Sequence, residues 1–349
     1  MKSPSIPTEY MVRVECMTYN HAAYIEDAMN GFCMQETDFP FVCVIVDDAS
    51  TDGEPEVIRN YLEQHFDLTD THYARTEETN DYVLSFARHN TNHNCFFGVL
   101  FLKYNHYRKK GKNPYFEEWS QAKYIALCEG DDYWTDKRKL QEQVNALNRH
   151  SECSFCSTGS LIRRIDDTYL DRTIKEDNTA IYIFGIEAWE RKPISKTFTL
   201  LIRREALKAA LSSVRNYKNT IDMHLSYHLI KLGKCAYIPK PMAMYRITGE
   251  GAWTSLSWAQ QKKWQYSIYR ELYIKNNKDK DIYDLYFNSI VEIVQKVGVN
   301  DFQLVKEAIG AARNLKDWNL ALSMALHFII SKLRANIAFR TRLRKLIAS

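Results

Sequence analysis

No stretch of the 349 residues reaches the ~18 consecutive apolar positions that a membrane-crossing helix needs. The longest charge-free candidate, residues 319–331, is too short. The opening MKSPSIPTEY has no apolar core of the kind a secretory leader carries, so a cytosolic chain is expected. Internal repeats and low-complexity tracts are missing too. With 12 Gly and 8 Pro, 45% hydrophobic and 13% aromatic residues, collagen-like and disordered classes are excluded. A nucleic-acid-binding charge profile is also lacking. The net charge is +4, but Lys332, Arg334, Arg340, Arg342, Arg344 and Lys345 lie in a tail with no acidic residue. Without those six the chain has 41 basic and 43 acidic residues, a net of −2, so the body is nearly neutral and no nucleic-acid partner is expected.

The eight cysteines form no framework. Only Cys153 and Cys156 make a CxxC, and zinc would need a second pair at similar spacing. The segment CSFCSTGSLI reads as a strand, whereas a redox CxxC opens a helix, so buried structural cysteines are expected. His89, His93 and Cys95 would cluster on a helix, but Asn90, Thr91, Asn92 and Asn94 interleave them and read as a polar loop.

What is present is an alternation of short apolar runs and amphipathic stretches. Residues 11–17 (MVRVECM) suit a first strand, 22–34 a helix, 41–46 (FVCVIV) a strand buried on both faces, and 54–66 a helix with Pro55 in its first turn. Strand–helix–strand–helix implies a parallel sheet with right-handed crossovers. Residues 71–121 read as loop-rich. Further strands are expected at 124–127, 153–162, 197–202 and 235–238, and further helices at 137–149, 204–212 and 220–232. From about residue 257 the chain reads as wholly helical. The expected organisation is an α/β domain over residues 1–255 and a helical C-terminal region over 256–349.

In an open parallel sheet, ligands bind beyond the carboxyl ends of the strands. Those ends carry Met17-Thr18-Tyr19-Asn20-His21, Asp47-Asp48-Ala49-Ser50-Thr51-Asp52-Gly53, and Cys128-Glu129-Gly130-Asp131-Asp132-Tyr133-Trp134. Asp and Ser after a strand often cap the next helix, which suits Asp52 and Asp136. Two acidic strand ends side by side repel each other unless donors or a cation compensate. A divalent metal with oxygen ligands would do so, and such a metal brings phosphates with it.

The segments MTYNHAAYI, VIVDDASTDG and YIALCEGDDYWTD, followed by TIDMHLSYHLIKLGKCAYIPKPMAMYRITGEGAWTS, resemble the inverting nucleotide-sugar glycosyltransferases of family 2. The resemblance spans roughly residues 10–255 and implies the GT-A fold: Rossmann-like, mostly parallel, with helices on both faces. It implies that Thr18, Tyr19 and Asn20 pack against a nucleotide base and that Asp47 and Asp48 include a base contact. Asp131 would bind Mn2+ or Mg2+, Glu129 and Asp132 would contact ribose or the ion's surroundings, and Asp222 would be the catalytic base. Arg246 would approach the diphosphate or bridge strands. Trp134 would line the sugar pocket or pack the core; Trp253 would stack on an acceptor or fill a seam. Glu129 stands where the family has Asp, and Thr248 where it often has His.

The implied activity is metal-dependent hexosyl transfer from a UDP- or dTDP-sugar to a glycan or lipid-linked acceptor, in surface polysaccharide or glycolipid synthesis. Two alternatives stand beside it: a non-catalytic nucleotide-sugar-binding protein, and a sugar-phosphate nucleotidyltransferase. The latter would want a Gly-rich basic loop, and residues 18–24 offer neither Gly nor Lys. Apolar residues recur at helical spacing within 320–349 while the basic ones cluster late. That stripe would either lie on the anionic inner face of a membrane or dock on the helical region.

Overall fold

The computed structural model describes residues 9–106, 115–116, 121–164, 168–170, 180–189, 196–215, 217, 222–249, 253, 255–277, 279–293, 306–307 and 309. The chain divides into two compact units, Met1–Thr248 and Gly249–Ser349.

The first unit begins β1 (Val12–Thr18), α1 (Ile25–Cys33), β2 (Phe41–Asp47) and α2 (Glu54–His65). Next come β3 (Arg75–Glu78), β4 (Tyr82–Arg88), β5 (Cys95–Leu102), β6 (Tyr124–Leu127), β7 (Tyr133–Trp134) and α3 (Lys139–Arg149). It closes with β8 (Cys153–Arg163), β9 (Thr168–Leu170), β10 (Tyr182–Phe184), α4 (Ile186–Trp189), β11 (Leu201–Arg203), α5 (Arg204–Val214), α6 (Asp222–Leu232) and β12 (Lys234–Arg246). The strands join one sheet in the order β10-β12-β8-β11-β6-β1-β2-β5-β4-β3. β6, β1, β2 and β5 run parallel, as do β8 and β12, while β11 is antiparallel to both its neighbours.

Neighbouring residues of a strand point to opposite faces. In β8, Cys153 joins the cluster that holds Leu140, Val144 and Leu147 of α3, while the Ser154 hydroxyl donates to Leu229 O of α6 at 2.7 Å. Helices therefore cover both faces. Every residue of β2 and β5 is buried, which is why both read as unbroken apolar runs.

The segment 71–121 departs from expectation. It holds three strands, and β5 (CFFGVLFL) pairs in parallel with the whole of β2. Its eight buried residues, bounded by Asn94 and Lys103, have the composition of a central strand; the polar residues on either side disguised it. Residues 197–199 form a 3₁₀ turn rather than a strand, because Lys196 O accepts both the backbone N–H and the hydroxyl of Thr199. β12 is much longer than expected and runs past Pro239 and Pro241 by shifting register against β8.

The second unit contains α7 (Trp258–Lys275) and α8 (Lys280–Glu292). A capping box between Ser257 and Gln260 starts α7. Ile268, Tyr269 and Leu272 of α7 are buried, as are Ile282, Tyr286, Phe287 and Ile290 of α8. Tyr273 and Tyr286 stack at 5.0 Å. Among the described residues no helix is long and apolar enough to cross a membrane. The amphipathic stripe of 320–349 lies outside the described residues.

Candidate functional site

Three strand ends meet at the carboxyl edge of the sheet. Thr18 and Asp47 are partners in the β1–β2 register, and Asp48 N donates to Thr18 O at 3.0 Å. After β6 the chain keeps following β1: Cys128 N donates to Glu15 O and Gly130 N to Met17 O, each at 3.1 Å. This lays the backbone of Gly130 directly on Thr18. A Cβ at position 130 would fall 2.1 Å from Thr18 Oγ1, so only glycine fits between the two acidic residues.

A buried carboxylate missed in the sequence organises this edge. Glu54, in the first turn of α2, is fully buried. It accepts the Thr18 hydroxyl, the His21 N–H at 2.8 Å and the Ser50 hydroxyl at 2.8 Å. An acid in a helix's first turn ordinarily reads as a favourable partner of the helix dipole, and nothing local reveals that it reaches back to β1. Asn20 and Ala49 take left-handed backbone conformations (φ 56 and 60) where the two loops turn. Asn20 Oδ1 accepts the Thr51 N–H at 2.8 Å, so these loops are clipped together.

The expected nucleotide residues thus divide. Thr18 is 3% exposed and its hydroxyl is occupied by Glu54, so it supports the loop and offers no side-chain surface to a base. Tyr19 is exposed. Asp47 accepts the Ser50 N–H, and burial raises its pKa above the usual carboxylate range. Asp48 Oδ1 accepts the His106 N–H at 2.6 Å, and its backbone oxygen accepts from Asn105.

The acidic loop after β6 is braced from several sides. Asp132 is buried and accepts the backbone N–H of Arg246 at 2.9 Å. Arg246 also donates to Asp131 O at 3.1 Å, pairs with Asp27 of α1, and lies 4.8 Å from the ring centres of both Tyr24 and Tyr133. Its guanidinium therefore bridges elements and holds the loop. Glu129 Oε2 accepts the Thr197 hydroxyl at 2.9 Å. Trp134 resolves in favour of the core. It is 1% exposed, donates to Phe198 O at 2.9 Å and packs edge-on against Phe32, so its ring cannot line a sugar pocket. Trp253 belongs to the second unit, where it contacts Trp264.

Asp222, the first residue of α6, is exposed at the helix start. Desolvation pushes its pKa up to about 6. Its charge reaches Glu129, which burial first and Asp222 second push up to about 7. Asp132 is raised well above the carboxylate range by burial and then by Asp131 and Glu129. Among the described residues no three His, Cys, Asp or Glu side chains form a ready-made metal cage. The surplus negative charge of these carboxylates nonetheless fits an oxygen-liganded Mg2+ or Mn2+ that completes its shell with phosphates.

Comparison with known proteins bears on the fold and on the first part of the chain. The family model for glycosyl transferase family 2 matches residues 16–81, which run from the end of β1 through α1, β2 with its acidic loop, α2 and β3. An uncharacterized protein of Mycobacterium tuberculosis is 29% identical over 258 residues, 71% of this chain and 62% of its own length. The chain thus spans less than two thirds of that relative. The putative teichuronic acid biosynthesis glycosyltransferase TuaG of Bacillus subtilis is 25% identical over 263 residues, 75% of this chain and 88% of TuaG. Among solved structures, Staphylococcus aureus TarS 1–349 in complex with UDP matches with a TM-score of 0.56 at 13% identity, covering 95% of this chain and 91% of that one. Its complex with UDP-GlcNAc matches with a TM-score of 0.55 at 14% identity and the same coverage. At such identity the likeness is one of fold. Fold and sequence matches together define a GT-A protein. Over residues 16–81 the chain matches glycosyl transferase family 2, and over about three quarters of its length it is similar to a putative glycosyltransferase.

Proposed function

We propose that the chain is an inverting glycosyltransferase that moves a sugar from a nucleotide-diphosphate donor, a UDP- or dTDP-sugar, to an acceptor hydroxyl in surface polysaccharide synthesis. The observation that carries this reading is the meeting of Asp222 with the Glu129-Gly130-Asp131 loop within electrostatic reach, at the sheet edge where nucleotide ligands bind. TuaG's name supports a cell-wall glycan acceptor, and the UDP and UDP-GlcNAc complexes of TarS support a uridine nucleotide.

In this reading Tyr19, Asp47 and Asp48 surround the base. Asp131 would hold a divalent ion, with Glu129 as a neighbouring carboxylate. The bound ion would act as a Lewis acid on the diphosphate oxygens. The bond between the anomeric carbon and the diphosphate oxygen breaks, its electron pair leaving on the diphosphate. The acceptor oxygen bonds to the same carbon from the opposite face, and its proton passes to the Asp222 carboxylate. One base opposite the leaving group gives inversion. For a lipid-linked acceptor, the basic stripe of 320–349 is the proposed contact with an anionic membrane surface on the cytoplasmic side.

Calorimetric titration with UDP, dTDP and GDP, with Mn2+ and then with EDTA, tests the reading. One nucleotide is expected to bind with Mn2+, and to lose its affinity with EDTA or in Asp131→Asn. Absence of binding by all three would remove the donor class.

A further inference from the structure

Resting on that proposed function, we infer that Glu54 is a positioning residue for base recognition: one buried carboxylate sets both loops that carry Tyr19, Asp47 and Asp48. The chain turns after β1 at residues 18–21 and after β2 at residues 47–53. Glu54, in the first turn of α2, is fully buried and takes donors from both turns. From the first come the Thr18 hydroxyl on Oε1 and the His21 N–H on Oε2 at 2.8 Å. From the second comes the Ser50 hydroxyl on Oε2, also at 2.8 Å. Thr18 and His21 flank Tyr19 and Asn20, so the exposed Tyr19 belongs to a segment pinned at both ends.

The contact is relayed further. Ser50 Oγ, while donating to Glu54, accepts the Asn20 N–H at 2.9 Å, and the Ser50 N–H donates to Asp47 Oδ1 at 3.2 Å. Glu54, Ser50 and Asp47 thus form one line from α2 to a candidate base contact. Asn20 and Ala49, one in each turn, hold left-handed backbone at φ 56 and 60. Such conformations persist at non-glycine residues where the surroundings over-determine them, and the bonds to Glu54 and Ser50 do so here.

A carboxylate suits this place because it only accepts. The Thr18, His21 and Ser50 donors converge on it, whereas an N–H or O–H there would set donor against donor. Its charge also lies in a helix's first turn, where the dipole favours an anion. The β1–β2 ladder and the Asp48 N–H on Thr18 O hold the strands independently of it. Losing the carboxylate therefore loosens the two turns while the sheet stays paired.

The test uses the full chain with Mn2+, well below each variant's melting temperature, so that only folded protein is compared. Calorimetry measures UDP, dTDP and GDP, and hydrogen exchange follows the His21 amide. Glu54→Met is expected to weaken the preferred nucleotide roughly tenfold and to shrink its preference over the other two, because the loss falls on the base. The His21 amide should exchange faster in that variant. Glu54→Gln keeps an oxygen for the His21 N–H and is expected to recover most of both effects. Should Glu54→Met fail to fold, Ser50→Ala cuts the line to Asp47 and Asn20 while sparing Thr18 and His21, and carries the same expectation at several-fold. Unchanged affinity in the folded variant, or an equal loss for every nucleotide that binds, would overturn the assignment while leaving the donor reading intact. Equal binding of all three nucleotides by the wild type would do the same. Failure of the wild-type chain to bind any of them would overturn both.

Discussion

Asp222 and Glu129 lie far apart in the chain, yet each raises a question only the other answers. A carboxylate at the start of a helix is ordinarily stabilised by the helix dipole, but Asp222 is desolvated and held up to about 6. As the proposed base it must be ionised, so turnover is expected to rise with pH and level off above about 6. Asp222→Asn should lower kcat by ~10²–10⁴-fold, abolish that acid limb and leave nucleotide affinity within about twofold. Steady-state kinetics across pH reads all three. Glu129 makes a stability prediction. Its folded pKa is raised, so the folded chain holds its proton more tightly than the unfolded one does. Its stabilising contribution is full below the unfolded pKa of ~4.3 and is lost as pH rises through about 7. Glu129→Gln, which keeps an acceptor for Thr197, should therefore melt increasingly above the wild type between pH 5 and 7.5. Mn2+ should close that gap at pH 7.5 but not at pH 5.

At the scale of elements, the site depends on backbones pressed together without side chains between them. A Cβ on Gly31 of α1 would meet Trp134 N at 2.8 Å, and one on Gly130 would meet Thr18 Oγ1 at 2.1 Å. The first contact fixes β7 against α1, and the second fixes the acidic loop against β1. Gly31→Ala and Gly130→Ala should each cost about 1–3 kcal/mol by overpacking. Because the blocking atoms belong to the site's own loop, nucleotide affinity should fall further than in an equally destabilised core variant such as Ile58→Val; thermal melts beside calorimetry make the comparison. These same elements show what could be read in advance. β1, β2, β6 and both early helices were legible, because a buried parallel strand is a short apolar run and a surface helix an amphipathic one. β5 was equally apolar but hidden between polar loops, and the turn at 197–199 looked like the start of β11. Hydrogen bonds from the Thr199 backbone N–H and hydroxyl to Lys196 O curled it instead.

At the scale of the molecule, the first unit carries its own core. The principal buried cluster runs from Val12 to Ala243 and draws on α1, α2, α3 and the central strands. A fragment of residues 1–248 should therefore unfold in one cooperative transition and retain diphosphate binding, with denaturation and calorimetry as the checks. The class of fold and the acidic strand ends were determined by sequence alone, whereas Asp222 as base rests on the family resemblance and on the proposed function. The first two follow from local pattern: apolar periodicity sets the elements, and parallel topology puts every strand's carboxyl end at one edge. Which side chains face that edge was decided only by tertiary packing. Thr18 and Trp134 turned inward, Arg246 became a brace, and Glu54 entered from a position without any motif. A side chain's accessibility and charge state depend on neighbours distant in sequence, and those neighbours exist only once the sheet and its helices have closed.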